Sequence, residues 1–220
     1  MTARDQTTRD PAAKEQMLAR IRAAIGTPDP APTVVARQYR LTGPHAPGSP
    51  ELIELLADRL TDYKATVHRC SPDGVAAAAA AALAAREAQR VVVPAGMAPV
   101  WQDWPGSPVP DDVEHPLGVT ELDAMDGVIT GCAVAIAETG TIVLDGSTDC
   151  GRRAITLVPD YHLVVVRADQ VVGSVPEGVA RLTPSRPLTM ISGPSATSDI
   201  ELSRVEGVHG PRTLVVVLVE

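Results

Sequence analysis

The apolar run over residues 127–144 is the feature that most constrains how this chain can fold. Its β-branched and small residues are typical of buried strands, which we predict over residues 128–129, 133–137 and 141–144. A single carboxylate, Glu138, interrupts the run where a nearby glycine predicts a tight turn. A carboxylate between apolar strands is costly to bury unless it is paired, hydrogen-bonded or protonated. Glu138 is therefore either a functional group or a solvated residue at the end of a strand.

Short apolar strand patterns alternate with helical patterns in the first half of the chain. Ser49 and Pro50 are typical of a helix start, and the alanine tract 76–88 is a strong helix former. Strand patterns at 66–70 and 90–94 flank that tract, and the three valines of the second are typical of a buried parallel strand. We therefore predict an α/β fold, with a mostly parallel sheet flanked by helices. The later predicted elements are a loop over 101–116, a short helix at 120–123, strands at 163–167, 188–192 and 213–219, and a helix at 175–182.

A separate helix is predicted near the start of the chain, over residues 12–25. Its apolar residues recur at spacings of three and four, and they form a stripe that must be buried against something. A Pro- and Gly-rich segment over residues 27–50 follows and predicts an extended connection. We therefore predict an N-terminal helix and Pro-rich arm over residues 1–48 and one domain over residues 49–220. The arm either docks on that domain or forms a contact in a homo-oligomer.

Composition and charge argue against several classes of protein. Aromatic residues make up 2% of the chain and its net charge is −8, which disfavours nucleic-acid binding. No apolar run is long enough to predict a membrane span, and the polar N-terminus is not typical of a secretory signal. The three cysteines lie far apart and form no CxxC motif, so we predict neither a metal site nor a bound cofactor. Free thiols are typical of a reducing cytosol, and we expect a cytoplasmic protein.

Two loops in the last part of the chain carry groups that suit a small ligand. The segment 193–201 follows a predicted strand and offers backbone amides and hydroxyls that suit a phosphate or a carboxylate. A Ser/Thr helix cap without a ligand explains the same residues. His209 lies beside two glycines, where it is either a general acid or base or a turn residue bonded to the backbone. The other histidines, His162 among them, have weaker context, and no two histidines have metal-ligand spacing.

Three segments together resemble a known family. Ala-Glu-Thr-Gly-Thr-Ile-Val-Leu at 137–144, Gly-Pro-Ser-Ala-Thr-Ser-Asp-Ile-Glu at 193–201 and Gly-Val-His-Gly-Pro at 207–211 are similar to motifs of the LUD domain of lactate utilisation protein C. Their order and spacing also fit, and the resemblance runs from about residue 50 to the end. Ala196 departs from the pattern, since a larger and often basic residue is expected there. If that residue contacts an anion in relatives, this chain holds its ligand more weakly.

The resemblance implies a fold like that of the NagB, ribose-5-phosphate isomerase and CoA-transferase group. It also implies a bacterial system of three proteins that oxidises L-lactate to pyruvate, in which the other two members resemble iron–sulfur proteins. The lack of a cysteine cluster in this chain fits a subunit that does not itself hold those clusters. No glycine-rich dinucleotide fingerprint is present, so electron transfer would belong to the iron–sulfur partners.

The leading hypothesis is an accessory or substrate-handling subunit of this lactate system. Such a subunit would bind a small anionic substrate, or a partner, where the motifs converge at strand ends on one edge of the sheet. We expect Glu138 and His209 to be its catalytic candidates. The residues expected to bind the anion are Thr139, Gly140, Thr141, Gly193, Ser195, Thr197, Ser198 and Asp199.

A stand-alone enzyme is the alternative hypothesis. Glu138 would then act as a nucleophile toward an acyl thioester, as in CoA transferases, or as a base in a sugar-phosphate isomerisation. This alternative depends mainly on the analogy of fold. A third interpretation gives the motifs no chemistry, because turns and an oligomer interface would also use such residues.

Overall fold

The computed structural model describes residues 11–26, 35–197, 205–206 and 209–220. Contacts divide the chain into two units, Met1–Tyr39 and Arg40–Glu220. In the first unit the described helix is α1 (Pro11–Ile25), which confirms the helix predicted there. The apolar side chains of α1, Met17 and Ile21 among them, are exposed. The boundary predicted at residue 48 and the docking or oligomer role of the arm stay predictions.

The second unit contains four further helices and twelve strands in its described part. The helices are α2 (Pro50–Asp62), α3 (Val75–Ala85), α4 (Val119–Asp123) and α5 (Val175–Ala180). The strands are β1 (Thr66–Cys70), β2 (Arg90–Pro94), β3 (Ser107–Asp111), β4 (Gly127–Thr130), β5 (Val134–Ile136), β6 (Thr141–Leu144), β7 (Tyr161–Arg167), β8 (Val171–Val172), β9 (Thr189–Ile191), β10 (Ala196–Thr197), β11 (Val205–Glu206) and β12 (Thr213–Val219). No helix in the described part of the chain is both long enough and apolar enough to cross a membrane.

Six strands form one parallel sheet, in the order β1-β12-β7-β4-β2-β3. Strands β7 and β12 lie in its interior and are buried on both faces, which explains their continuous apolar sequences. Helix α3 packs on one face through Ala79, Ala82 and Leu83, whose size permits a close approach to the sheet. The predicted α/β fold, with a mostly parallel sheet flanked by helices, is confirmed.

A second sheet covers the other face of the first. Its order is β8-β5-β6-β9, with β6 antiparallel to both β5 and β9 and with β5 parallel to β8. Apolar side chains of α2 share one core with Val164 and Val166 of β7 and with Ala135 and Ile142 of the second sheet. The sequence predicts β5, β6 and β9 but not that they form a sheet of their own.

Strand β3 corrects one prediction. The loop predicted over residues 101–116 is wrong at Ser107–Asp111, because β3 pairs in parallel with β2. Pro108 and Pro110 have no backbone N–H to donate, which argues against an interior strand. Because β3 lies at the edge of the six-stranded sheet, its outer side needs no partner and the two prolines are tolerated.

Candidate functional site

The motif residues lie in three different connections of the fold. Glu138 and Gly140 lie in the turn between β5 and β6, Ser195 follows β9, and His209 precedes β12. Strands β5, β6 and β9 belong to the second sheet, whereas β12 belongs to the first. Contacts between the two sheets therefore decide which of the motif residues meet.

Glu138 forms an ion pair at the surface. The Nη2 atom of Arg40 donates to both carboxylate oxygens, at 2.7 Å each, and the Glu138 side chain is 47% exposed. The backbone N–H of Glu138 donates to the carbonyl of Gly173 at 3.1 Å. An exposed ion pair stabilises a fold by about 0–1 kcal/mol. The sequence suggests that this carboxylate could be costly to bury. Because its side chain is exposed and paired with Arg40, that cost does not arise.

Gly140 and Gly193 are both required by close packing on the end of α2. Gly140 has a φ of +59°, and a Cβ there would lie 2.7 Å from Cβ of Arg59. Gly193 has a φ of +88°, and its Cβ would lie 2.6 Å from the carbonyl oxygen of Tyr63. Side chains avoid both this backbone region and such short contacts. Packing accounts for these two glycines without a ligand.

A chain of hydroxyls connects the turn at Glu138 with the end of β9. Oγ1 of Thr139 lies 2.8 Å from Oγ1 of Thr141, which in turn lies 2.8 Å from Oγ of Ser192. Thr141 is buried and the pairing of β6 with β9 holds it beside Ser192. The hydroxyls of the two threonines expected to bind an anion therefore have partners within the protein, Thr139 in Thr141 and Thr141 also in Ser192.

The second and third motifs meet directly. The backbone N–H of Ser195 donates to the carbonyl of Pro211 at 2.8 Å, and the backbone N–H of His209 donates to Oγ of Ser195 at 3.2 Å. These bonds join the segment after β9 to the segment before β12. Ser198 and Asp199 lie outside the described residues, and of Thr197 the structure describes the backbone, in β10.

A cavity of about 260 Å³ lies where these two segments meet, at the amino-terminal ends of β7 and β12. The predicted residues Gly193, Ser195 and His209 line it. Among the described residues, its lining includes neither Glu138 nor any other Asp, Glu, Lys or Arg. Among the described residues, the groups that an anion would meet in this cavity are hydroxyls, backbone amides and the rings of two histidines. Further lining residues supply hydroxyls or apolar wall, and they are Thr156, Leu157, Thr189, Met190, Ile191, Ser192, Pro194, Pro211 and Leu214.

His162 also lines the cavity, although its sequence context is weak. Its side chain is 1% exposed, and Nε2 lies 2.8 Å from Oγ1 of Thr130. Its other ring nitrogen, Nδ1, is buried and has no hydrogen-bond partner among the described residues. A polar group left buried in this way costs about 1–3 kcal/mol. A polar atom bound in the cavity could recover part of that cost.

Burial also sets the protonation of His162. Removal from water lowers the pKa of the imidazole to about 4, so the ring is neutral near pH 7. One nitrogen of a neutral imidazole is a donor and the other is an acceptor. The Nδ1 atom of His162 is therefore one uncharged donor or acceptor, according to the role that Nε2 takes toward Thr130.

The start of β7 explains why the sequence undervalues His162. The sequence pattern begins the strand at residue 163 and leaves His162 in a loop, whereas β7 begins at Tyr161. Side chains alternate along a strand, so His162 shares a face with Val164 and Val166, which are buried in the core between the sheets. The available signal was this alternation, which places a polar residue on an otherwise apolar face.

A second cleft lies at the opposite end of the parallel sheet. It has a volume of about 390 Å³, and Gly96 and Met97 line it after β2, together with Asp149 and Arg167. The carboxyl ends of parallel strands are a common place for ligands. The charged groups here have partners within the protein, because Asp149 accepts from Ser147 at 2.8 Å and Arg167 pairs with Asp169.

The described residues contain no group of three or more His, Cys, Asp or Glu placed to hold a metal ion. The cysteines are free thiols, and Cys132 and Cys150 are buried. Burial raises the pKa of the Cys150 thiol to about 11, and it raises the pKa of Cys132 as well. Such thiols are protonated and inert near neutral pH.

Fold and cavity together define an α/β protein of two packed sheets, with a small cavity between them whose described lining carries no Asp, Glu, Lys or Arg. A family model described as the LUD domain matches residues 120–219, which contain all three motif segments. A protein named lactate utilization protein C from Deinococcus radiodurans is 52% identical over 173 residues, which cover 77% of this chain and 80% of that protein. This chain belongs to the lactate utilisation protein C family of LUD-domain proteins, and the resemblance noted in its motifs is confirmed.

Two further comparisons extend this likeness. A lactate utilization protein C from Bacillus subtilis is 30% identical over 130 residues, which cover 54% of each chain. The crystal structure of a DUF162 family protein from Deinococcus radiodurans superimposes with a TM-score of 0.65 at 43% identity. That likeness covers 77% of this chain and 97% of the solved chain, so it extends over nearly the whole neighbouring fold.

Proposed function

We propose that this chain is a substrate-handling, non-redox subunit of an L-lactate utilisation system. The observation that carries the proposal is the 52% identity to a protein named lactate utilization protein C, over 80% of that protein's length. In the proposed reaction L-lactate loses two electrons and two protons, one proton from C2 and one from its hydroxyl, and the product is pyruvate. Iron–sulfur partner proteins accept the electrons, and this chain binds the small carboxylate anion.

The cavity between the two sheets supports the binding part of the proposal. Its volume of about 260 Å³ lies below the roughly 300–1,000 Å³ of clefts for drug-sized ligands, and it suits a small metabolite. Gly193, Ser195 and His209 lie at this cavity, so they are the proposed contacts to the anion. His209 is exposed, which leaves its ring accessible to a ligand.

Glu138 has a different place in this proposal. Its carboxylate is paired with Arg40 at the surface, away from the lining of the cavity as far as the described residues define it. Such a pair suits contact with a partner protein better than contact with the substrate. We also propose that the chain acts in the cytoplasm, because buried free thiols are typical of a reducing compartment.

Growth on L-lactate as the sole carbon source tests this function. A strain that lacks the gene is complemented with the wild-type chain, with His209→Gln or with Glu138→Gln, and protein levels are checked by blot. We expect the wild type to restore growth and His209→Gln to restore it poorly. His115→Gln is the matched control, since His115 is 86% exposed and does not line the cavity among the described residues.

A second control matches Glu138. Glu54 is also exposed and ion-paired, with Arg69, so Glu54→Gln removes a similar surface pair without touching a motif. A growth defect in Glu138→Gln but not in Glu54→Gln supports a partner contact at Glu138. Normal growth of the deletion strain on L-lactate contradicts the proposed function altogether.

The stand-alone enzyme has less support. A nucleophile or base needs access to its substrate, and the Glu138 carboxylate already accepts two bonds from Arg40. Turnover of an acyl-CoA with a carboxylate acceptor, or of a sugar phosphate, by the purified chain alone would favour this alternative. The substrate-handling subunit is expected to be inactive in both assays.

A further inference from the structure

We propose that His162 is the buried positioning residue of the cavity, and that its Nδ1 atom binds the oxygen on C2 of a small 2-hydroxy- or 2-oxocarboxylate. The choice of acid rests on the proposed function, whereas the choice of residue rests on the geometry of β7. His162 lies outside all three motif segments, and its position in the fold alone points to it.

The geometry holds the ring in one place and leaves one atom unused. In the sheet, His162 is the register partner of Val128 on β4 and of Leu214 on β12. The contact of 2.8 Å between Nε2 and Oγ1 of Thr130 fixes the ring from the side of β4. Nδ1 is inaccessible to water and has no partner among the described residues, and other atoms of His162 line the cavity, so a bound group reaches Nδ1 by displacing the wall that covers it. Buried polar atoms are nearly always hydrogen-bonded, so an unpaired one at a cavity indicates a bound polar group.

The size and walls of the cavity restrict what that group belongs to. Its volume of about 260 Å³ lies below the roughly 300–1,000 Å³ of clefts for drug-sized ligands, so a small acid suits it. Ser195 and His209 lie at the segments that close the cavity and suit the carboxylate. The hydroxyls of Thr189 and Ser192 add polar wall between apolar residues. A short acid with one further oxygen fits this distribution of groups.

The contact with Thr130 lets the same nitrogen bind either an alcohol or a ketone. When Nε2–H donates to Oγ1 of Thr130, Nδ1 is an acceptor for the hydroxyl of a 2-hydroxycarboxylate. When the threonine hydroxyl donates to Nε2, Nδ1–H is a donor to the oxygen of a 2-oxocarboxylate. His162 therefore accommodates both members of a pair that differ by two electrons and two protons, and it carries out no electron transfer itself.

Three variants separate the two ring nitrogens. Asn at position 162 can place a polar atom near the site of Nδ1, whereas Gln extends to the site of Nε2 and leaves the Nδ1 site empty. His162→Asn is therefore the conservative variant, and His162→Gln is the disruptive one. Thr130→Val keeps the shape of its side chain and removes the hydroxyl that sets the tautomer.

The experiment follows the ring nitrogens directly by NMR. The intact protein is labelled with ¹⁵N in its histidine rings and titrated with L-lactate, with pyruvate and with propionate, which lacks the C2 oxygen. We expect L-lactate to shift Nδ1 of His162 as a hydrogen-bond acceptor and pyruvate to shift it as a donor. Propionate is expected to leave this resonance nearly unchanged, and the resonances of exposed His115 serve as the internal control.

Affinities from the same titrations give the second readout. We expect His162→Gln to weaken the binding of L-lactate about tenfold, which corresponds to about 1.4 kcal/mol, and to leave propionate binding unchanged. His162→Asn is expected to stay within about threefold of wild type, or about 0.6 kcal/mol. Thermal melting checks that each variant is folded. If His162→Gln fails to fold, the ¹⁵N shifts of the wild type and the measurements on Thr130→Val test the role of His162 instead.

Failure of this proposal is distinguishable from failure of the proposed function. L-lactate and pyruvate that bind without moving the His162 nitrogens overturn the role of His162 and leave the proposed function in place. The same holds if neither acid binds while the deletion strain still requires this chain to grow on L-lactate. If the deletion strain grows normally and neither acid binds, both proposals are overturned.

Discussion

Acidification tests whether His162 is buried and neutral, because this residue makes the stability of the fold depend on pH. The pKa of the ring is lowered to about 4 in the folded chain by burial, against 6.5 for an unperturbed histidine. Between these values the unfolded chain binds a proton that the folded chain does not bind. Stability is therefore fully present above pH 6.5 and is lost as the pH falls toward 4.

The expected loss follows from the size of the pKa shift. One pKa unit corresponds to about 1.4 kcal/mol, so a shift of about 2.5 units corresponds to about 3 kcal/mol. Between pH 7.5 and 4.5 the free energy of unfolding is expected to fall by most of this amount, about 2.5 kcal/mol. Solvent does not screen the ring, because the side chain is 1% exposed.

Urea unfolding followed by circular dichroism measures this loss. The free energy of unfolding is determined at several pH values from 7.5 to 4.5 for the wild type and for His162→Gln, which has no titrating ring. We expect the difference between the two proteins to change by about 2.5 kcal/mol in favour of the variant on acidification, since contributions from other groups cancel. His115→Gln, at an exposed position, is measured in parallel as the control for removing a histidine. A difference that stays constant within about 0.5 kcal/mol over this range would refute the burial of a neutral His162.

Three further predictions concern packing, a buried charge and thiol reactivity. Gly193→Ala is expected to destabilise the fold by about 1–3 kcal/mol more than Gly146→Ala in urea unfolding, because both have positive φ but only at Gly193 would the added Cβ lie as close as 2.6 Å to a backbone carbonyl oxygen. Arg152→Met is expected to cost about 3–5 kcal/mol, because it leaves the Asp111 carboxylate, 2% exposed, without the guanidinium that bonds both of its oxygens. Of the three thiols, only Cys70 is partly exposed, so mass spectrometry should find iodoacetamide on it in the native protein and on the other two after unfolding.

Each of these predictions has an outcome that contradicts it. Equal losses for the two glycine variants would mean that the end of α2 yields to an added methyl group. An Arg152→Met variant as stable as wild type would show that the N–H of Leu117, which also donates to Asp111, is enough for this carboxylate. Asp111→Asn in the same chain should recover part of any loss. Rapid labelling of Cys132 in the native protein would contradict its burial.

The strands were predictable where a local pattern defines them. The segments 90–94 and 213–219 are apolar at nearly every position, which is typical of strands buried on both faces. Strands β2 and β12 are such strands. Strand β3 was not predictable from local pattern, because Pro108 and Pro110 are tolerated only through its place at the edge. The second sheet depends on pairings distant in sequence, such as Ile142 with Ile191, which no local pattern contains.

The candidate site was predictable in part for the same reason. Ser195 and His209 carry visible polar groups in glycine-rich loops, and the fold brings their segments together. Glu138 is equally prominent in the sequence, but its carboxylate pairs with Arg40 and does not line the cavity as the described residues define it. His162 became apparent only from the register of β7 and the atom left unpaired at Nδ1. Local residue types therefore locate loops, whereas strand register decides which side chains share a cavity.

Reduction of an electron-accepting dye by L-lactate tests the central proposal most directly. The assay compares extract of the deletion strain, the purified chain, and the two mixed. A substrate-handling subunit without redox groups of its own is expected to reduce no dye alone, and to restore L-lactate-dependent reduction when it is added to the extract. Oxidation of L-lactate by the purified chain alone, or full activity of the extract without it, would contradict this role.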